Sequence, residues 1–100
     1  MSGNNREEQV IVKIVNVMEK IVWENLDSVL NSNMDACKCD KCRADIAAIA
    51  LSNLQPRYVV SEKGEVLCKA EQCSPESKSK LLVALTNAVK VVTASPRHDC

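Results

Sequence analysis

Apolar positions in the first third of the chain recur every three to four residues, the period of an α-helix rather than of a strand. One stripe is Val10, Ile14, Val17 and Ile21; beside it runs Ile11, Val15, Met18, Val22, Leu26 and Val29. The pattern predicts a helix from about Arg6 to Leu30, with Asn5 as its cap and Glu8, three residues on, as the capping-box partner. Together the stripes cover more than the roughly 100° face that a helix lying on one core requires. The expectation is one side buried within the subunit and another against a second copy. A thick core filled by β-branched side chains would produce the same pattern.

Asn31-Ser32-Asn33 breaks the periodicity. A second helix is expected from Asp40, as its cap, to about Leu54, with Ile46, Ala47, Ile49, Ala50 and Leu51 as its apolar positions and Pro56 as its stop. Its small side chains permit close helix approach. Arg57 to Glu71 is the least helical region: Tyr58-Val59-Val60, Ser61 to Gly64, then Glu65 to Cys68 read as a short hairpin or an ordered loop. Ser74-Pro75-Glu76 is a helix start with proline at the first position. The helix it opens carries Leu81, Leu82, Val83, Leu85, Ala88, Val89, Val91 and Val92 and runs to about Thr93. Ser95-Pro96 ends it, leaving the tail Arg97-His98-Asp99-Cys100. The fold class is therefore mainly α: a single small helical domain over 1–100, with long first and last helices and a short irregular or β-hairpin segment near 57–71.

At 100 residues, with one Trp, one Tyr and no Phe, the core must come from aliphatic side chains and is modest. A metal staple or a partner subunit would help such a chain appreciably. Thirteen basic residues balance thirteen acidic ones, which leaves no overall field for nucleic acid or an anionic membrane. The polar opening, Met1 to Glu8, does not read as a secretory signal, and no run of about 18 apolar residues predicts a membrane span. The cytoplasm is the default expectation, and clustered thiols there are used for metal more often than for disulfides.

Cys37, Cys39 and Cys42 supply three thiols within six residues, a density suited to a soft ion such as Zn²⁺. Tetrahedral zinc needs one more ligand. Spacing leaves Cys68, Cys73, Cys100 and His98 open as candidates. A Cys₄ site holding Zn²⁺ carries a local excess of negative charge, which the nearby Lys38, Lys41, Arg43, Arg97 and His98 could offset. Four sulfur ligands would leave no open coordination position, which argues against zinc hydrolysis or deamination, and the deaminase signature is missing. His98, the single histidine, sits between Arg97 and Asp99 and suits a solvated or supporting role better than a catalytic base. With only Gly3 and Gly64 there is no phosphate-cradling glycine loop.

The run Met34-Asp35-Ala36-Cys37-Lys38-Cys39-Asp40-Lys41-Cys42, the stretch Asp45 to Leu54, then Pro56-Arg57-Tyr58-Val59, and finally Ser95-Pro96-Arg97 with Cys100, resembles the late competence development protein ComFB family. The resemblance spans nearly the whole chain. Its C-x-C-x₂-C, A-L-x-x-L-x-P-x-Y-V and S-P-R-x-x-C motifs occur in order. It implies a small helical homodimer with one structural zinc per subunit, held by Cys37, Cys39, Cys42 and Cys100. Cys68 and Cys73 depart from the family pattern; of an idle buried pair, a local disulfide or a redox-sensitive pair, idle thiols are expected.

The resemblance also implies a non-enzymatic signalling protein, since members of the family are implicated in competence regulation and as receptors for cyclic dinucleotides, cyclic di-GMP in particular. Arg57, Tyr58, Lys63 and Lys69 are the residues whose chemistry suits such a ligand: a guanidinium for phosphate, an aromatic face for stacking, and point charges. They are chosen from chemistry and are not a site carried over from the family. From the residues alone, an ordinary charged loop with Tyr58 partly buried is the favoured explanation, and the resemblance is what shifts that balance. A protein-interaction module of a competence or motility pathway, with no small ligand, is the alternative function.

Overall fold

Asn16 decides where the first helix starts. In the computed structural model, which describes residues 13–33 and 35–95, Asn16 holds an extended N-cap conformation and its Oδ1 accepts from the Met18 amide at 3.2 Å. The same oxygen accepts from the Arg57 amide at 2.9 Å, and the Val17 amide donates to the Arg57 carbonyl at 2.8 Å. Val15 and Asn16 (β1) thereby pair antiparallel with Val59 and Tyr58 (β2, Tyr58–Val59). The four helices of the described residues are α1 (Val17–Asn31), α2 (Asp40–Ser52), α3 (Glu62–Glu71) and α4 (Pro75–Ala94).

The architecture is mainly helical, as the periodicity predicts, with three corrections. Lys13 to Asn16 is not helical, so no unbroken helix runs from Arg6 to Leu30; the proposed start at Arg6 and its Asn5 cap lie outside the described residues. Ile14 is 72% exposed instead of lying in a buried stripe. β-Branched residues have weak helix preference, and here the backbone of Val15 finds a partner strand instead. From Val17 onward both stripes are buried within one chain, through Val17, Met18, Ile21, Val22, Leu26 and Val29. The thick-core account therefore explains the width of the apolar face, and that width alone requires no second copy.

The second correction concerns α2. Its N-cap is Cys39, not Asp40, which occupies the first helical turn. The third concerns 57–71. Its β-content is confined to Tyr58–Val59, whose partner is β1 and not residues 65–68, and Glu62 to Glu71 is helical. Ser61 caps α3 by accepting from the Gly64 amide at 3.0 Å. Glu62 and Glu65 in its first turn and Lys69 in its last complement the helix dipole. Gly64 has a packing reason: a Cβ there would lie 3.2 Å from Ser61 Oγ and 3.4 Å from Val59 Cβ, so the missing side chain lets α3 start directly over β2.

Ion pairs tie α3 to α1, with Lys20 Nζ 2.8 Å from Glu65 Oε1 and Lys69 Nζ 3.0 Å from Glu24 Oε2. The hydrogen bond from Lys20 is the main reason the Glu65 carboxyl is held below the usual range. α4 begins with Ser74 as cap and Pro75 at the first position, as expected, and packs most extensively on α2. The buried faces of these two helices carry Ala47, Ala50, Ala84 and Ala88, small side chains that allow close backbone approach. Among the described residues, no helix is long and apolar enough to cross a membrane.

Because Asn16 both caps α1 and holds Arg57, Asn16→Ala should lower stability by about 1–2 kcal/mol in a urea titration, whereas Asn16→Asp, which keeps the acceptor, should lose less. A shift below about 0.5 kcal/mol for the alanine variant would show that this side chain is no anchor.

Candidate functional site

The bend between α1 and α2 is built from short local hydrogen bonds. The Asn33 amide donates to the Leu30 carbonyl at 3.0 Å, its side-chain Nδ2 to the Val29 carbonyl at 2.8 Å, and the Ala36 amide to the Asn33 carbonyl at 3.1 Å. This closes α1 and turns the chain into the cysteine run. Cys37 and Cys39 are half-buried and Cys42 is fully buried. Their three Sγ atoms all lie within 4.8 Å of one another. Four sulfurs around a tetrahedral Zn²⁺, each about 2.3 Å from the ion, would be roughly 3.8 Å apart. The spacing of the trio suits zinc, for which Cys37, disulfide-bonded in this structure, would have to be reduced, and a tetrahedral ion would take one further ligand.

The local electrostatics support that fit. Cys39 Sγ accepts from the Cys42 amide at 3.4 Å as the N-cap of α2, so two of the sulfurs sit where the helix dipole favours negative charge. Burial pushes the Cys42 thiol up, and Cys39 and Asp45 push it the same way while Lys41 opposes them. A dication supplies the positive charge that clustered thiolates require. The flanking cations divide their attention: Lys41 Nζ is 3.5 Å from Asp45 Oδ1, while Arg43 pairs with Asp27 and lies over the Trp23 ring, 5.9 Å from its centroid. Arg43 thus ties α2 to α1.

Cys68 and Cys73 are not part of the cluster. Cys68 is buried on α3, Cys73 is exposed just after it, and both are free thiols. They form no disulfide here, among the described residues they stand outside the cluster, and Cys68 packs as a small core hydrophobe. Cys100, Arg97 and His98, the other candidates for the fourth corner and its charge balance, lie outside the described residues.

The four residues chosen for an anionic ligand are spread over the surface around α3. Arg57 donates to Glu71 Oε1 at 2.5 Å, a contact that raises its guanidinium above the ordinary value. Tyr58 is 65% exposed rather than partly buried. Lys63 is exposed. Lys69 is held between Glu24 and Glu65, and the hydrogen bond with Glu24 is the largest cause of its raised value. Arg57 lines a groove of about 590 Å³ formed by the ends of α2 and α3 and the first half of α4. Lys69 lines a different hollow, of about 340 Å³, with Ile21, Cys73 and Leu81. Tyr58 and Lys63 line neither.

Sequence reasoning missed Lys80, Gln72 and Asn87, which join Arg57 in the larger groove. Nothing in a linear pattern marks them; Lys80 and Asn87 are solvent positions of a helix, two turns apart. Only the approach of α4 to the Leu54–Arg57 segment turns them into a lining.

The family model for late competence development protein ComFB matches residues 15–96. A curated relative, the competence protein ComFB of Bacillus subtilis (strain 168), is 32% identical over 87 residues, covering 87% of this chain and 89% of that protein. A solved structure, described as a structural characterization of the late competence protein ComFB from Bacillus subtilis, superposes with a TM-score of 0.79 at 32% identity, over 88% of this chain and 97% of its own. With its cysteine cluster and helical order lying inside the matched span, this chain belongs to the late competence development protein ComFB family.

Proposed function

We propose that the protein is a non-enzymatic regulator: a zinc-stapled helical homodimer that acts in the cytoplasm and answers a cyclic dinucleotide, cyclic di-GMP first among them. The observation that carries the scaffold part is the convergence of Cys37, Cys39 and Cys42 within 4.8 Å at the start of α2. Cys100 is the proposed fourth ligand, which would tie the bend after α1 to the tail after α4. Zinc bound there supplies cross-linking and charge compensation, and with four sulfurs it has no position for water or substrate.

The ligand part rests on membership of the family and on the cations around Arg57, with Tyr58, Lys63 and Lys69 as further contacts. Arg57 is well suited to capture. Its backbone is fixed by Asn16 and Val17, while its side chain is held, among the described residues, by an exposed pair with Glu71 that a phosphate can displace. Ligand would favour one arrangement of the Arg57–Glu71 region and so alter a surface that a downstream protein reads.

Calorimetric titration of zinc-loaded protein with cyclic di-GMP, cyclic di-AMP and a mixed cyclic dinucleotide tests this. Saturable heat with at least one is expected, strongest with cyclic di-GMP. No heat with any, in protein verified to hold zinc, would remove the ligand part. The interaction-module alternative would then stand, and one observation favours it independently: α3 and α4 expose Val66, Leu67, Leu82, Val83 and Val91.

A further inference from the structure

Among the described residues, the groove that holds Arg57 is lined by two cations, Arg57 and Lys80, and by no carboxylate. Four carboxamides, Asn53, Gln55, Gln72 and Asn87, line it as well. Leu54 and Val83 contribute apolar area. By contrast, the smaller hollow beside α1 sets Lys69 and Lys78 against Glu24.

We propose that this groove binds a phosphorylated heterocycle, with the phosphate taken by Arg57 and Lys80 and the ring read by the carboxamides against the apolar lining. Each carboxamide presents a donor and an acceptor together, which matches the paired edge of an amide-bearing ring; an aliphatic phosphate or a bare anion would leave those groups unused. Guanidinium and ammonium suit phosphate by bidentate contact and by point charge, respectively. The first turn of α4 adds the positive end of a 20-residue helix, since Ser77 also lines the groove. A volume of about 590 Å³ lies within the range of small-ligand sites.

Both cations can be recruited without unfolding anything. Lys80 Nζ is 3.6 Å from Glu76 Oε2, with both side chains more than two-thirds exposed, so the pair is loosely held. Arg57 needs only to exchange Glu71 for phosphate, from a backbone position already pinned to α1. Gln72, the C-cap of α3, lines the groove next to that exchange, so ligand would couple to the end of α3.

The inference rests on the preceding section for the identity of the nucleotide, while the location and chemistry come from the groove itself. It differs from a site centred on Tyr58, Lys63 and Lys69, which lie outside the groove. The test uses zinc-loaded protein, three probes (cyclic di-GMP, 5′-GMP and inorganic pyrophosphate), and two exposed-site variants, Lys80→Gln and Lys90→Gln. Binding is read by calorimetry and by amide NMR shifts. Lys80→Gln should weaken nucleotide binding about tenfold while Lys90→Gln, at an exposed position lining neither hollow, changes it less than about twofold. Shifts should gather at Gln55, Gln72 and Asn87.

If cyclic di-GMP binds but Lys80→Gln leaves affinity unchanged, the groove is the wrong place, whatever Lys90→Gln does, and the regulatory reading survives. Equal weakening by both variants would indicate long-range charge and would also overturn the groove. If 5′-GMP binds with the Lys80 dependence and cyclic di-GMP does not, the groove stands and the cyclic-dinucleotide reading falls. Pyrophosphate binding as tightly as either nucleotide would overturn the role given to the carboxamides. Failure of all three probes at millimolar concentration overturns both.

Discussion

Cys42→Ser should leave the protein without stoichiometric zinc and largely unfolded at room temperature. Cys42 is fully buried at the start of α2, among side chains from the core. Serine there loses the metal bond and puts a hydroxyl into the space of a sulfur. A structural zinc contributes about 10–16 kcal/mol of apparent binding energy in small zinc domains at neutral pH, comparable with the whole stability of about 5–15 kcal/mol typical of a domain. On the proposed zinc site, losing the ion would remove a comparable share of what holds a chain with so modest a core.

Cys39→Ser separates the two effects, because serine is itself a good N-cap and can keep accepting from the residue 42 amide. Any collapse of Cys39→Ser therefore reports metal loss and not cap loss. Elemental analysis under reductant, together with urea titration with and without a chelator, reads both variants. Wild-type protein that melts identically with and without chelator, or Cys39→Ser that melts like wild type, would end the zinc-staple account.

Leu85→Ala should cost about 2–5 kcal/mol, a large share of total stability, with little change in urea m-value. Leu85 is fully buried in the middle of α4, the helix that packs on both α1 and α2. The buried faces of α2 and α4 also carry Ala47, Ala50, Ala84 and Ala88, short side chains that cannot extend into the space it leaves. Leu82→Ala, at a side chain 51% exposed three residues earlier, is the comparison. In an isolated subunit it should be nearly neutral. A destabilisation that grows on dilution would instead place Leu82 in an interface between copies. If Leu85→Ala costs less than about 1 kcal/mol, α4 is not packed as described.

The cysteine site was legible because its signal is local. Cys37, Cys39 and Cys42 lie within six residues of sequence, so a bend followed by a helix start can bring the sulfurs together without long-range contacts. Even there, the cap is placed one residue late in the sequence-based expectation. Asp40 is a familiar capping residue and Cys39 is not, yet the sulfur of Cys39 meets the amide of Cys42. Spacing left the proposed fourth ligand open among Cys68, Cys73, Cys100 and His98, because a ligand distant in sequence has no period.

Two features near 57–71 had local signals that competed. Tyr58-Val59-Val60 and Val66-Leu67 are apolar runs with a glycine between them, which reads as a hairpin. Against that stood Ser61 as a cap, acidic residues in the following turn and Lys69 at its end, which read as a helix. The helix prevailed because Lys20 and Glu24 of α1 meet Glu65 and Lys69, and because β1 had already supplied the partner that Tyr58–Val59 needs.

By itself, the amino-acid sequence determined the helical class, the start of α4 at Ser74-Pro75, the stop of α2 before Pro56 and the thiol cluster. Each follows from residues within a few positions of one another, where backbone geometry alone sets the outcome. Tertiary structure decided the late start of α1, the β1–β2 pairing and the groove shared by Arg57 and Lys80. These depend on partners tens of residues apart, Asn16 with Arg57 above all. Packing of the whole domain selects such contacts, and side-chain patterns along the chain do not encode them separately.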